Sequence, residues 1–332
     1  MAPRIHTLPR RLLALALVLL AWSLPAAGGP FKVLVVMSYE QDNPWCEGIR
    51  QGIDSVLAPV AEISYFYLNT KADFQGGPAR AEGAAALYRE LQPDGVIAAD
   101  DDAQSMFVVP FLKDKVGTPV MFCGVNAEAA AYGFPNSHIS GVLERGHVAG
   151  TLALVQQLLP KVRKACFVVG DSPAGRALEA QVAGEKSDYP ARVGGFFKAR
   201  TVADLRQFSR PLASCDALYI DSLEGIADDA GRRLVNREVF DVLFGLYKGP
   251  ILGANPYHVE EGALCAVVKT GQEQGSLAAQ QLLKAMQGTP VSQVPVTRNF
   301  RGRLMINIDT LDRMGIRPKP IVLQGADLVK TR

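Results

Sequence analysis

The sequence predicts an α/β chain made of two Rossmann-like lobes, each built on a parallel sheet, joined by a hinge. Three observations predict it. Short apolar runs alternate with helical periodicity almost throughout. The strand-like runs are apolar at consecutive positions rather than alternate ones. The whole pattern restarts near residue 148. A strand apolar on both faces needs cover on both faces, which is the condition of a parallel sheet between layers of helices.

The first unit opens at 32–37 with Lys-Val-Leu-Val-Val-Met, a buried strand. A helix over 45–57, a strand over 63–68 and a helix over 80–91 follow. Strands at 95–99, 119–123 and 139–142 complete it, separated by helices near 103–109 and 127–132. The second unit has a helix over 148–159. Its strands lie at 165–169, 194–197, 217–220 and 250–253, and its further helices near 174–183, 202–210 and 232–246. Each assignment rests on the switch between consecutive apolar residues and a 3.6-residue period. The tail carries a strand at 265–269, an Ala-rich helix over 274–286 ending before Gly288, and a short strand at 304–308. A small helix then runs to Met314 and Gly315. No Gly/Ser or Pro linker divides the units, so the crossings between lobes are short. By analogy with hinged two-lobe folds, residues 30–143 and about 258–288 form the N-terminal lobe. Residues 144–257 and about 289–325 then form the C-terminal lobe.

The N-terminus reads as a signal peptide over 1–28. Arg4, Arg10 and Arg11 precede an apolar run at 12–22, and small residues at 25–29 suit cleavage near Ala27. The run is too short to span a bilayer comfortably. The first cysteine is Cys46, so no lipobox follows, and the mature chain is expected to be soluble in the periplasm. The 35 basic and 33 acidic residues nearly cancel and are scattered, which excludes a nucleic-acid footprint. The five cysteines (Cys46, Cys123, Cys166, Cys215, Cys265) form no CxxC pair, which argues against a zinc or thioredoxin-type centre. Most sit in apolar strand-like runs and are expected to be buried thiols. Export permits disulfides, but the sequence does not pair them.

In doubly wound sheets, ligands bind at the carboxyl ends of the strands. In the first unit those ends carry Ser38 and Tyr39, with Trp45 on the following connection, then Asp100, Asp101 and Asp102, then Asn126, then Glu144. In the second unit they carry Asp171 and Ser172, Asp221 and Ser222, and Asn255. Two facing rims of this kind make a polar cleft for one small molecule. Asp100, Glu144, Asp171 and Asp221 suit an ammonium group. Ser38, Ser172, Ser222 and Asn126 suit a carboxylate or hydroxyl, and Tyr39 and Trp45 an apolar or flat portion. A zwitterionic amino acid or related metabolite fits this mixture, and a sugar stays open. The three consecutive aspartates lack accompanying His or Cys ligands and any DxDxDG loop, so no metal is expected. Asp102 is read as a cap of the following helix. The run from Gly170 to Gly175 lacks phosphate-loop spacing and reads as a strand-to-helix turn capped by Asp171 or Ser172. His138, His147 and His258 are dispersed and no GxSxG occurs, so no catalytic residue and no cofactor are assigned.

Several short motifs, taken in order, resemble a known family. They are Ser38-Tyr39 followed by Pro44-Trp45 and Gly48; Pro93-Asp94-Gly95-Val96-Ile97 leading to Asp100-Asp101-Asp102-Ala103; residues 119–126; Gly141-Val142-Leu143-Glu144 before Thr151-Leu152; and Ile306-Asn307 with Met314-Gly315-Ile316. In these the chain resembles the ABC-transporter substrate-binding proteins of the tryptophan-receptor-like group, whose domain also occurs as a sensor fused to signalling kinases. The resemblance implies a type I periplasmic-binding-protein fold with the ligand held between the lobes. The expected function is an extracytoplasmic solute-binding protein that closes by hinge motion and serves an ABC permease. The expected partners are a small-molecule ligand and that permease, with no nucleic acid, and the protein itself is expected to be a monomer. A receptor subunit for a membrane kinase or cyclase would use the same cleft. An exported hydrolase would need a nucleophile–base arrangement that the sequence does not show.

Overall fold

Strands apolar on both faces are covered on both faces twice over. In the computed structural model, which describes residues 29–332, the first sheet contains β1 (Phe31–Met37), β2 (Ala61–Tyr67), β3 (Gly95–Ala99), β4 (Val120–Val125) and β5 (Ile139–Leu143). The signal-peptide reading of 1–28 lies outside the described residues. Between these strands run α1 (Pro44–Leu57), α2 (Gly77–Leu91) and α3 (Asp100–Ala103), the last continued by a π-helical stretch over Gln104–Leu112. The helix expected near 127–132 is a single 3-10 turn over Ala129–Tyr132. Along β1 the side chains alternate between two cores. Val33, Val35 and Met37 pack with Ile49 and Ile53 of α1, while Leu34 and Val36 pack with Ala81, Ala84 and Phe107.

The second half repeats the plan with α4 (Val148–Leu158), β6 (Lys164–Gly170), α5 (Pro173–Glu185), β7 (Arg192–Ala199), α6 (Val202–Gln207), α7 (Ser209–Leu212), β8 (Ala217–Asp221), α8 (Asn236–Leu246), β9 (Ile251–Leu252) and α9 (Pro256–Glu260). The tail supplies β10 (Cys265–Val268), α10 (Gly271–Met286), β11 (Thr297–Arg298), β12 (Arg303–Asn307), α11 (Ile308–Arg313), α12 (Pro320–Leu323) and β13 (Asp327–Val329). The sheet orders are β11-β5-β4-β3-β1-β2 and β13-β12-β10-β9-β8-β6-β7. The pairings are parallel except that of β10 with β12.

The tail divides differently from the sequence-based partition. The sequence places residues from about 258 in the first lobe. β10, however, is buried throughout and takes its two sheet neighbours, β9 and β12, from the second. Only α10 joins the first lobe from that stretch. Conversely β11, expected with the second lobe, pairs with β5. α10 is drawn to α1 by glycine contacts. Gly48 and Gly52 face Gly271 and Gly275 so closely that a Cβ at Gly52 or Gly275 would overlap the opposite backbone. The chain therefore crosses between lobes three times: after Leu143, between Val268 and Gly271, and between Arg298 and Arg303.

Cys46, Cys123 and Cys265 are buried free thiols. The expectation of free thiols fails for Cys166 and Cys215, which are disulfide-bonded with Cα atoms 5.8 Å apart. β6 and β8 are adjacent parallel strands, and Cys215 lies two residues before β8, beside Cys166. Among the described residues no helix is long and apolar enough to cross a membrane.

Candidate functional site

Because the strands of each sheet are nearly all parallel, their carboxyl ends gather on one edge, and the two edges face each other. Between them lies a cleft of about 680 Å3. Asp101, Asn126, Tyr132 and Glu144 line it from the first lobe, and Ala174, Ala177, Leu178, Asp221 and Ser222 from the second. Arg145, Gly146 and Lys269, on two of the crossings, line it as well.

The three aspartates at the end of β3 point three ways. Asp100 takes a left-handed backbone conformation (φ 67°) that turns its side chain inward, where it is 1% exposed. Its Oδ1 accepts the indole N–H of Trp45 at 2.8 Å, while Oδ2 has no partner. Burial, followed by the nearby Glu144, pushes this carboxyl well above the usual carboxylate range. Its surroundings therefore favour the protonated form over the ionised one. Asp101 accepts the backbone N–H groups of Asn126 (2.9 Å) and Ala127 (3.2 Å) and the Tyr132 hydroxyl (2.8 Å). Asp102 accepts the Thr70 hydroxyl at 2.6 Å. The capping role expected of Asp102 is not made. A cap belongs to the residue before the first turn. That residue is Ala99, which has no side-chain acceptor, and Asp102 already lies inside α3. Ser38 supplies the acceptor instead, its Oγ taking the Ala103 N–H at 2.8 Å and donating to the Ala99 carbonyl at 2.6 Å. Ser38 is thus fully buried and committed within the lobe.

Tyr39 is half-buried beneath the ammonium of Lys71, 4.4 Å from its ring centroid. Burial, then Asp100 and Glu144, push its hydroxyl pKa up. Trp45 stands one hydrogen bond behind the cleft, through Asp100. At the cleft floor Glu144 meets Lys269 at 2.6 Å, and the Asn126 side-chain amide lies 3.4 Å from Glu144. Burial alone would lower the Lys269 ammonium pKa, but Glu144 and Asp221 more than offset it and the net shift is upward. Arg145 holds the floor by donating to the Asn126 and Glu144 carbonyls and pairing with Glu128 at 2.8 Å.

On the second lobe, Asp221 accepts from the Asn255 amide at 2.9 Å and from the Ser222 hydroxyl at 3.3 Å. Ser222, like Asp100, follows its strand in the left-handed region (φ 49°). Asn255 therefore stands behind Asp221. Asp171 is bound by Arg200 (2.6 Å) and Arg176 (3.1 Å), and Arg200 above all holds its carboxyl below the usual range. Its charge is already matched by these two guanidiniums, of which Arg176 itself lines the cleft. Ser172 caps α5 by accepting the Gly175 N–H at 3.1 Å, as the turn reading expects.

The structure thus brings Asp101, Asn126, Glu144, Asp221 and Ser222 together around one cavity. It places Ser38, Tyr39, Trp45, Asp100, Asp171, Ser172 and Asn255 behind or beside it. Sequence reasoning missed Lys269, although the strand-end rule points to it, immediately after β10. Arg145 adjoins Glu144 and could have been found the same way. Tyr132 and Gln181 come from a turn and a helix interior, where no comparable signal exists. Among the described residues no group of three or more His, Cys, Asp or Glu side chains is arranged to hold a metal.

Two Rossmann-like lobes, short crossings and a polar cleft between facing strand ends make this a type I periplasmic-binding-protein fold. Residues 240–330 match the family model described as ABC transporter substrate binding protein. Among solved structures, a ligand-free, open substrate-binding protein with adhesive properties from Clostridium difficile is similar with a TM-score of 0.68 at 17% identity, covering 91% of this chain and 100% of that one. The ABC domain in complex with L-Trp from Streptococcus pneumonia is similar with a TM-score of 0.55 at 17% identity, over 91% and 100%. An ABC transporter periplasmic solute-binding protein from Actinobacillus succinogenes with bound D-allose reaches 0.51 at 12% identity, over 86% and 99%. At these identities the likeness is one of fold. No curated protein matches the sequence.

Proposed function

We propose that the chain is the extracytoplasmic solute-binding protein of an ABC importer and that it closes on an amino acid or a closely related zwitterion. The observation that carries this reading is the Glu144–Lys269 pair at the cleft floor, 2.6 Å apart and contributed by strand ends of the two different sheets. A carboxylate and an ammonium side by side offer both partners a zwitterion needs. Asn126 and Asp221 add a donor and an acceptor from opposite lobes. The Ala174–Ala177–Leu178 face of α5 offers apolar cover for the rest of the molecule. Ligand contacts made from both walls favour the closed state, because only there are both sets available. The N-terminal segment read as a signal peptide supports a periplasmic location, and the family supports a permease partner and binding without turnover.

Calorimetric titration of the mature protein with L-amino acids and with monosaccharides tests the reading. An amino acid should bind, and Glu144→Gln should weaken it. Saturable binding of sugars alone would refute the zwitterion, and full-strength binding by Glu144→Gln would refute the placement. Mass spectrometry of metabolites released on denaturation identifies the cognate compound independently.

A further inference from the structure

Asn299, on the third crossing and buried, holds one residue by both of its backbone groups. Its Oδ1 accepts the Arg145 N–H at 2.8 Å and its Nδ2 donates to the Arg145 carbonyl at 2.9 Å. These backbone partners fix which way the amide points: turned over, it would set oxygen against carbonyl and N–H against N–H. Gln274 of α10, whose own oxygen is fixed by the Gly124 N–H at 2.9 Å, agrees with that orientation. It donates to Asn299 Oδ1 at 3.1 Å and to the Leu143 carbonyl at 3.3 Å. Leu143 and Arg145 flank Glu144, so this network sets the segment that presents the Glu144 carboxylate to Lys269.

The other Nδ2 hydrogen of Asn299 goes to Nε2 of His147 at 2.8 Å. Asn299 is the donor there, so Nε2 accepts, and the ring is neutral with its proton on Nδ1. An imidazolium carries hydrogen on both nitrogens and would set Nε2–H against the Asn299 N–H. The ring has little room to avoid that clash. Its side chain is 9% exposed, and a Cβ at Gly302 would lie 2.7 Å from its Cδ2 and 2.8 Å from its Nε2. The charged groups around it are Glu273 at the start of α10, Lys269 after β10, Arg298 in β11, and Arg145 on its own crossing, which pairs with Glu128. Glu273 Oε2 is 3.9 Å from Nε2, but that carboxylate already accepts the N–H groups of Phe300, Arg301 and Gly302. Burial, with Lys269 and Arg298 adding to it, outweighs Glu273 and lowers the His147 pKa below the usual imidazole value.

We propose that His147 is a proton-sensitive positioning residue of the cleft floor: while neutral it anchors Asn299, which holds Arg145 beside Glu144, and a proton taken up at Nε2 breaks that anchor and frees the 143–145 segment. No ligand contact enters the argument, so the inference holds whichever solute the cleft takes. In the unfolded chain a histidine titrates at about pH 6.5. The lower native value means that the unfolded chain binds the proton first. The contribution of His147 to stability is therefore complete above that pH. It is lost as pH falls towards the native value, by up to about tenfold in the folding equilibrium per pH unit.

Assigned NMR spectra of the protein without added solute, recorded between about pH 7.5 and about pH 4.5, test this, with His147→Gln alongside. The His147 ring should titrate below about pH 6.5. The Asn299 side-chain amide and the Arg145 backbone amide should shift with the same midpoint. In His147→Gln, whose amide oxygen can take the Asn299 hydrogen but does not titrate, that common transition should be absent. Urea unfolding over the same range should show the wild type losing ground to the variant as pH falls. A ring that titrates at or above about pH 6.5, or not at all by about pH 4.5, would overturn the inference. So would Asn299 and Arg145 amides that stay still through its titration, a common transition that survives in His147→Gln, or parallel unfolding curves. The wild-type spectra decide the first two points by themselves, should the variant fail to fold.

Discussion

Asp100→Asn should make the protein more stable at neutral pH and flatten its dependence on pH. Asp100 is 1% exposed, one oxygen is spent on Trp45, and the other has no partner. Both burial and Glu144 disfavour its ionised form. The native carboxyl therefore holds its proton to higher pH than the same group in the unfolded chain, which titrates at about pH 3.9. The sign follows from that order. The contribution of Asp100 to stability is complete below the unfolded value and is lost as pH rises through the native one. Over that window the folded state binds one more proton than the unfolded state, so unfolding free energy falls by about 1.4 kcal/mol per pH unit. Asparagine keeps a carbonyl oxygen for the Trp45 N–H and tolerates the left-handed backbone, but it cannot ionise. Urea unfolding of wild type and Asp100→Asn between pH 5 and 8 should show curves that diverge as pH rises, with the variant ahead. Parallel curves would refute the reasoning, because they would mean that Asp100 titrates alike in the folded and unfolded chains.

Three further outcomes follow from the same geometry. Trp45 is the single tryptophan of residues 29–332, and its indole is bonded to Asp100 behind the cleft wall; saturating ligand should shift its emission, which a fluorescence titration checks. Replacing Cys166 and Cys215 together by Ala should lower stability by about 4 kcal/mol on the chain-entropy relation for a 49-residue separation, measured by chemical denaturation against the oxidised protein. Asp221→Ala should weaken ligand binding about ten- to hundredfold, whereas Asp171→Ala should change affinity far less, because that carboxylate does not line the cleft and is already paired with Arg176 and Arg200; calorimetry on the two variants separates them.

What was legible in the sequence follows from which physics is local. The runs at 32–37 and 165–169 announce buried parallel strands, since burial on both faces leaves few positions for polar residues. Where β10 and β11 belong was not legible. An apolar run shows that a strand is buried but not which neighbours bury it, and β10 found them in β9 and β12. The glycines of α1 and α10 were visible at a four-residue spacing in both segments, but their meaning depends on the two helices meeting. Asp101, Asn126, Glu144, Asp221 and Ser222 could be placed at the cleft from sequence because topology alone carries strand ends to it. Ser38 and Asp171 satisfy the same rule, yet their bonding is decided by Ala103 and Arg200, residues distant in sequence.

The same dependence on distant partners links the three crossings to one another. Asn299, on the third crossing, accepts the Arg145 N–H at 2.8 Å and donates to the Arg145 carbonyl and to His147 on the first crossing, both within 2.9 Å. Glu273, just past the second crossing, accepts the backbone N–H groups of Phe300, Arg301 and Gly302 on the third. The third crossing is therefore tied to the first by Asn299 and to the start of α10 by Glu273. Glu144 and Lys269 sit at the inner edge of this junction, each adjoining a crossing. A ligand seated on that pair contacts the protein where a small rotation brings the outer rims, with Asp101 on one side and Asp221 and Ser222 on the other, through the largest displacement. Under the proposed hinge closure, charge recognition at this pair and polar contacts at the rims would perform different tasks: the first would hold the ligand in the open protein, and the second would supply the extra contacts that favour closure.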